Sequence, residues 1–328
     1  MAPINEYRNK RKYDKEMSQK YYSELRFSLN AIKSEGQKYE DLFNDVMLAS
    51  RTGFRRVKAY GNIGDRKNDG FVPATGVYFQ VFAPEDINNK RTVVSAVSKL
   101  EEDFTKLLEH WNEDSPLKEF YFVLNDKQKG SPPPVEQKMA KLRKVFPDIS
   151  FGTYTMDDLI SEFMKLDIEK QESIIGFIPS PNKLQTISVS ALSNTIEHLI
   201  SLKEVKDKPN DNFDLEEFNS KIVFNFLDNR IAEILEKAET QTYIIDEYFT
   251  RNQNKRLGEF IRNSLNYIYE TEKEKYGGEV TVLNSAIIFY NILDICAVEK
   301  GLEAINSSLV LMSFFFTSCD IFEKPTKD

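Results

Sequence analysis

Between Gly64 and Gly70 the chain reads Gly-Asp-Arg-Lys-Asn-Asp-Gly, which places Asp65, Arg66, Lys67 and Asp69 within five positions. An apolar run, Gly76 to Pro84, follows almost at once and carries a single polar residue, Gln80. Carboxylate and amide oxygens are the ligands that hard divalent cations take. Such an ion, Mg²⁺ or Mn²⁺, activates water and stabilises charge on a phosphoryl group. A lysine beside that water adds electrostatic help. The residue types therefore fit a metal-dependent phosphodiesterase site. They fit a solvated turn equally, because Asp and Gly are ordinary turn formers and Gln80 can satisfy a buried backbone group.

The surrounding periodicity says what positions these residues. Residues 18–34 have helical spacing, and Gln37–Ser50 restarts a helix with Tyr39, Leu42, Phe43 and Val46 on one face, ended by Gly53. Residues 54–60 alternate as a strand does, 68–73 supply a short strand, and 76–84 read as a buried central one. A long amphipathic helix covers 85–111, and another strand covers 119–126. Pro132, Pro133 and Pro134 open a helix that Pro147 stops. A last strand, 149–155, leads to a helix capped by Thr155 with Asp158 three residues on. From Gln37 the order is helix, three strands, helix, strand, helix, strand, helix, the pattern of an α/β layer with a mixed sheet.

That order resembles the restriction-endonuclease-like core over roughly the first half of the chain. The turn at 64–70 resembles the Gly-Asp-x-Gly-x-Asp-Gly turn of Mrr-type nucleases, and Tyr78–Pro84 resembles their Gln-x-Lys strand. The resemblance implies a PD-(D/E)xK site with Asp69 as metal carboxylate, Gln80 as second ligand position and Glu40 on the first helix. Glu85, just past the strand, is a further candidate ligand. The chain departs from the pattern two residues after Gln80, where Phe82 replaces lysine. A phenylalanine cannot hold a nucleophilic water. Lys67 in the turn or Lys90 at the start of the next helix then has to supply the cation; otherwise the fold serves binding alone.

Composition sets the frame. A chain of 328 residues exceeds what one core usually organises. We expect a nuclease-like domain over residues 1–175, with an N-terminal helical extension, and an all-α domain over 185–328. The formal charge of −8 argues against nucleic-acid binding through the whole surface. It leaves room for local basic faces such as residues 5–15, 51–60 and the helix after Pro134. Cys296 and Cys319 lie in apolar surroundings and read as buried thiols of a reducing compartment. With no apolar leader, and with the run 307–322 too short to span a bilayer, a cytoplasmic protein with no membrane partner is expected. His110 and His198 have no partners for a histidine-based site, and no Walker-type phosphate loop is present.

After residue 185 strand signals fade and helical periodicity takes over. Lys221, Ile222, Phe224 and Asn225, then Tyr248 and Phe249, then Cys319 to Glu323 resemble the C-terminal domains of effectors in bacterial ABC-three-component, Lamassu-like antiphage systems. That resemblance implies docking to an SMC-like ABC ATPase, often through a small middle component, with double-stranded DNA as the target of an attached nuclease. The apolar run ending the chain reads more as an internal core helix than as a partner surface.

Overall fold

A computed structural model describes residues 20–202, 218–252, 255–298, 301–317 and 321–325. The chain divides after Ile175 into two compact units, the first beginning at Gln19.

The first unit opens with helix α1 (20–33) and α2 (Gln37–Ser50), then three strands, β1 (Arg55–Arg56), β2 (Gly70–Val72) and β3 (Val77–Phe82). Helix α3 (Lys90–Trp111), β4 (Glu119–Leu124), α4 (Pro133–Val145), β5 (Ser150–Tyr154), α5 (Met156–Phe163) and α6 (Ile168–Ile175) complete it. The five strands lie in chain order; β1, β2 and β3 pair antiparallel, and β3, β4 and β5 pair parallel. The mixed sheet expected from the sequence is therefore present. The strand read over 54–60 shrinks to Arg55–Arg56, both exposed, and α3 starts at Lys90 instead of Glu85 because Asn89 caps it, accepting a bond from the Arg91 N–H at 2.9 Å. Helix α5 starts where expected: the Thr155 N–H and hydroxyl both donate to Asp158, at 2.8 and 2.9 Å.

Helices cover both faces of β3, which explains its nearly unbroken apolar run. On one face Tyr78, Phe120, Phe122 and Leu124 pack against Ala96, Leu100, Phe104 and Leu107 of α3 and Val135, Met139 and Leu142 of α4. On the other, Phe79 meets Phe43 of α2, Phe54, Tyr121 and Tyr154 within 6.1 Å.

The described residues of the second unit are helical: α7 (Val189–Ser201), α8 (Phe218–Phe224), α9 (Asn229–Glu239), α10 (Tyr243–Arg251), α11 (Lys255–Glu274), α12 (Ser285–Cys296) and α13 (Leu302–Thr317). Helix α13 is buried almost all round from Ile305 to Phe316 and packs on α7, α9, α11 and α12, so the apolar run is the core of its own domain. No helix among the described residues is long and apolar enough to cross a membrane. Cys296 is fully buried, and burial pushes its thiol up to about 12; Cys319 lies outside the described residues.

Candidate functional site

The antiparallel β2–β3 register ends with Gly70 opposite Phe79, with Phe71 opposite Tyr78, and Asp69 stands in the bend just before it. Gly70 has to be glycine here, since a Cβ would sit 2.3 Å from Cζ of Phe54. Phe71 stacks on Tyr78 and packs on Trp111 of α3, both at 5.2 Å. By strand alternation Gln80 shares the α3-facing side with Tyr78 and Phe82. Asp69 Oδ2 accepts the Val81 N–H at 2.6 Å, and its own N–H donates to Phe79 O at 3.2 Å. Asp69 and Gln80 are only 4% and 3% exposed. The Asp69 carboxylate, arriving from the bend, thus bonds the backbone of the residue after Gln80, and both side chains are buried.

The electrostatics follow from that burial. Burial lifts the Asp69 carboxyl to about 7, with Glu40 and Asp65 adding to the rise and the Val81 bond and Lys99 opposing it. Lys67 leaves the turn toward α3, where its Nζ lies 2.9 Å from Asp103. Lys99, one turn before Asp103 on the same helix, reaches that carboxylate at 2.6 Å. The bond to Asp103 raises the Lys67 ammonium above its usual value, burial partly opposing it. The turn that delivers Lys67 is held by an Asx bond, Lys67 N–H to Asp65 Oδ1 at 2.8 Å, with Arg66 and Lys67 both left-handed at φ 54° and 63°.

Gln80 Oε1 is buried without a hydrogen-bond partner among the described residues, as are both side-chain polar atoms of Asn68, next to Asp69 in the bend, and, on the α2 side beside Gly70 and Phe54, Asn44 Oδ1. The Gln80 oxygen thus satisfies no backbone group. Orphaned buried acceptors ask for a water or a cation. Glu40 and Asp65 on the acidic side and Lys99 on the basic side all act on the Asp69 carboxyl. No three His, Cys, Asp or Glu side chains form a metal-ligand group among the described residues. A cation here would therefore draw on Asp69 together with amide oxygens, which suits Mg²⁺ or Mn²⁺ better than a soft metal.

The remaining candidates scatter. Glu40 acts on Asp69 from α2, one turn before Asn44. Glu85 is exposed beyond the end of β3. Lys90 is the first residue of α3, about 14 Å along the helix from Lys99. It lines a surface cleft with Val93, Val94, Lys129, Pro132 and Pro134. Phe82 stacks on Phe122 at 5.9 Å and contributes no polar atom. Of the two lysines the sequence offers, the fold brings Lys67 toward the site. It adds Lys99 and Asp103, which sequence reasoning missed. The signal was present: Asp103 sits inside the apolar stripe Ala96, Leu100, Phe104, Leu107, where an acid is out of place unless paired.

In the helical unit, the motif residues build a clamp on the chain end. Asn225, fully buried, donates from Nδ2 to Lys221 O and Glu323 O at 2.9 Å each, and its Oδ1 accepts the Glu323 N–H at 2.7 Å. Lys221, 1% exposed, donates to Phe316 O at 2.7 Å and lies 4.5 Å from that ring's centroid. The Glu323 carboxylate accepts from Tyr269 and Lys273, both at 2.7 Å. Burial would raise its pKa, but these bonds win and hold it below the usual range.

Residues 190–323, from α7 through Glu323, match the family model of C-terminal domain 10 of the ABC-three component (ABC-3C) systems. No curated protein and no solved structure matches the chain.

Proposed function

We propose that this chain is the effector subunit of a prokaryotic antiphage complex of the ABC-three-component type. In this reading the helical unit docks the chain to an SMC-like ABC ATPase, directly or through a small middle component. The α/β unit is a restriction-endonuclease-like domain that hydrolyses double-stranded DNA. The family match over 190–323 supports the assembly role. The observation that carries the chemical role is the buried Asp69 carboxylate, bonded to the Val81 N–H beside the buried, unpartnered oxygen of Gln80, with Lys99 acting on it and Lys67 sharing Asp103 with Lys99.

Asp69 and Gln80, with Glu40 behind them, would hold Mg²⁺ or Mn²⁺, which supplies Lewis-acid activation of water and of the phosphoryl group. Lys67 and Lys99 would take the electrostatic role that Phe82 cannot. The net reaction is hydrolysis: water adds at phosphorus, one P–O ester bond breaks, and the departing oxygen takes a proton. The acidic chain as a whole binds DNA poorly on its own, which suits an effector engaged only within its complex.

A second reading, a catalytically inactive adaptor that uses the same fold to bind nucleic acid or protein, is favoured by Phe82 at the usual lysine position. Calorimetric titration of Mn²⁺ into the wild type and Asp69→Ala separates the two at the first step. Loss of binding in the variant is expected, and equal binding removes Asp69 from any metal site. Mg²⁺-dependent cleavage of linear and supercoiled DNA by the assembled complex then decides between effector and adaptor.

A further inference from the structure

We propose that Asp103 is a positioning residue: a buried anchor that holds Lys67 and Lys99 side by side at the Asp69 site, where the pair meets a backbone phosphate of nucleic acid. The ligand rests on the nuclease reading above; the anchoring geometry does not. One buried carboxylate, its side chain 2% exposed, is shared by ammoniums from two different elements, the 64–70 turn and α3. A structural ion pair needs a single partner. The second lysine adds one positive charge beyond what Asp103 alone neutralises, and both lysine side chains remain about one-third open, at 37% and 31%. Each ammonium carries three donors; Asp103 takes one from Lys67 and meets Lys99 as an ion pair, so donors remain for an anion.

The local backbone points the same way. Two consecutive non-glycine residues in left-handed conformation, Arg66 and Lys67, are held there by the Asp65 Asx bond. Such conformations cost of order 1 kcal/mol or more each and persist where the surroundings over-determine them. Their result is to turn Lys67 inward to Asp103. Lys99 in turn acts on Asp69, and the Asp69 carboxylate bonds the Val81 N–H beside Gln80, whose oxygen is unpartnered among the described residues. A phosphodiester there would have the lysines on one side and the carboxylate with its amide neighbours on the other.

The test uses the chain assembled with its proposed ATPase partner and a short DNA duplex, with Ca²⁺ replacing Mg²⁺ for binding and Mg²⁺ restored for cleavage. In anisotropy titrations over a salt series, Lys67→Ala and Lys99→Ala should each lower the salt slope by about one. Asp103→Asn leaves both charges present but unheld. It should keep or steepen the slope by about one, while cleavage drops by a factor of about 10² because the ammoniums are misplaced. Asp103→Glu should recover part of the rate. Mn²⁺ calorimetry on every variant reports whether the Asp69 pocket is intact. Binding and cleavage both unchanged in Asp103→Asn, or both lost while Mn²⁺ binding persists, would make Asp103 a structural ion pair and overturn the proposal. If the wild type cleaves nothing but the lysine slopes behave as stated, the nuclease reading fails and the anchored phosphate contact stands.

Discussion

Replacing Asp69 by Asn should stabilise the α/β unit, and by an amount that grows with pH. The carboxyl is buried, and its value of about 7 stands against about 3.9 for an ordinary aspartate. At about 1.4 kcal/mol per pH unit of displacement, full ionisation in the folded state opposes folding by on the order of 4 kcal/mol. The sign follows from proton binding. The folded chain holds the Asp69 proton more tightly than the unfolded one, so the favourable contribution is complete below about pH 4 and is lost as pH rises through about 7. Asn cannot ionise. Wild type and Asp69→Asn should therefore unfold nearly together at pH 4 and separate by pH 8. With about 2–4 °C per kcal/mol for a domain of this size, and relaxation around a buried charge reducing the effect, the gap in Tm should be several degrees. Differential scanning calorimetry of the full chain at pH 4 to 8 measures it, with the helical unit's transition as internal reference. Excess Mn²⁺ should raise the wild-type Tm at pH 8 and leave the variant unmoved, because a bound cation favours the ionised form. Parallel pH dependences for the two proteins would refute the reasoning at its root, since Asp69 would then not titrate as its burial demands.

Other expectations are simpler. Asn225→Ala should lower the stability of the helical unit by roughly 3 kcal/mol, because it strands the buried backbone groups of Glu323 and Lys221, and denaturant unfolding should show the α/β transition unchanged. Gly76→Ala meets both a left-handed φ of 70° and a Cβ 2.3 Å from Pro116 O, so the β2–β3 turn should open, at a cost of about 2 kcal/mol or more in thermal unfolding. Gln80→Ala should weaken Mn²⁺ binding without abolishing it, and calorimetry that finds no change would take the amide oxygen out of the ligand set. Deleting the residues after Gln185 should leave an α/β unit that no longer co-purifies with the ATPase partner; retained co-purification would assign assembly to the first unit.

What the sequence showed depended on how local the governing physics is. Strand β3, helix α3 and the Thr155–Asp158 cap were readable because apolar runs, amphipathic period and capping chemistry act over a few residues. The strand expected over 54–60 was not: alternation there has no cover on one side, and only two residues pair. Residues 218–251 carried continuous helical period, yet the chain breaks twice, at Phe226 with φ 53° before the Asp228 cap and again before Tyr243. Neither break has a glycine or proline; the first is marked by the Asp228 cap, whose carboxylate accepts from the Arg230 and Ile231 N–H groups. Helix α6 was missed because its eight residues bury only Gln171 and Ile175.

The site divides along the same line. Asp69 precedes β2 and Gln80 lies on β3, and the Asp69 carboxylate reaches the Val81 N–H, a closeness that a hairpin pattern can suggest. Lys67, Lys99 and Asp103 meet only because α3 crosses back over β2 and β3, and nothing in the spacing of 67, 99 and 103 expresses that crossing. Position 82 looked like a missing function when read along the strand alone. In the fold its side chain is committed to stacking on Phe122, so a lysine there would replace an aromatic pair in the sheet's packing. On the proposed nuclease reading, cations on α3 and in the turn keep that packing and stand on side chains 37% and 31% open. A charge so placed can be reached by a polymer lying over the surface, whereas one on the buried strand could act only on what enters the pocket. In that reading Phe82 and the lysines at Asp103 belong to one arrangement, and removing either lysine tests it more directly than placing lysine at 82.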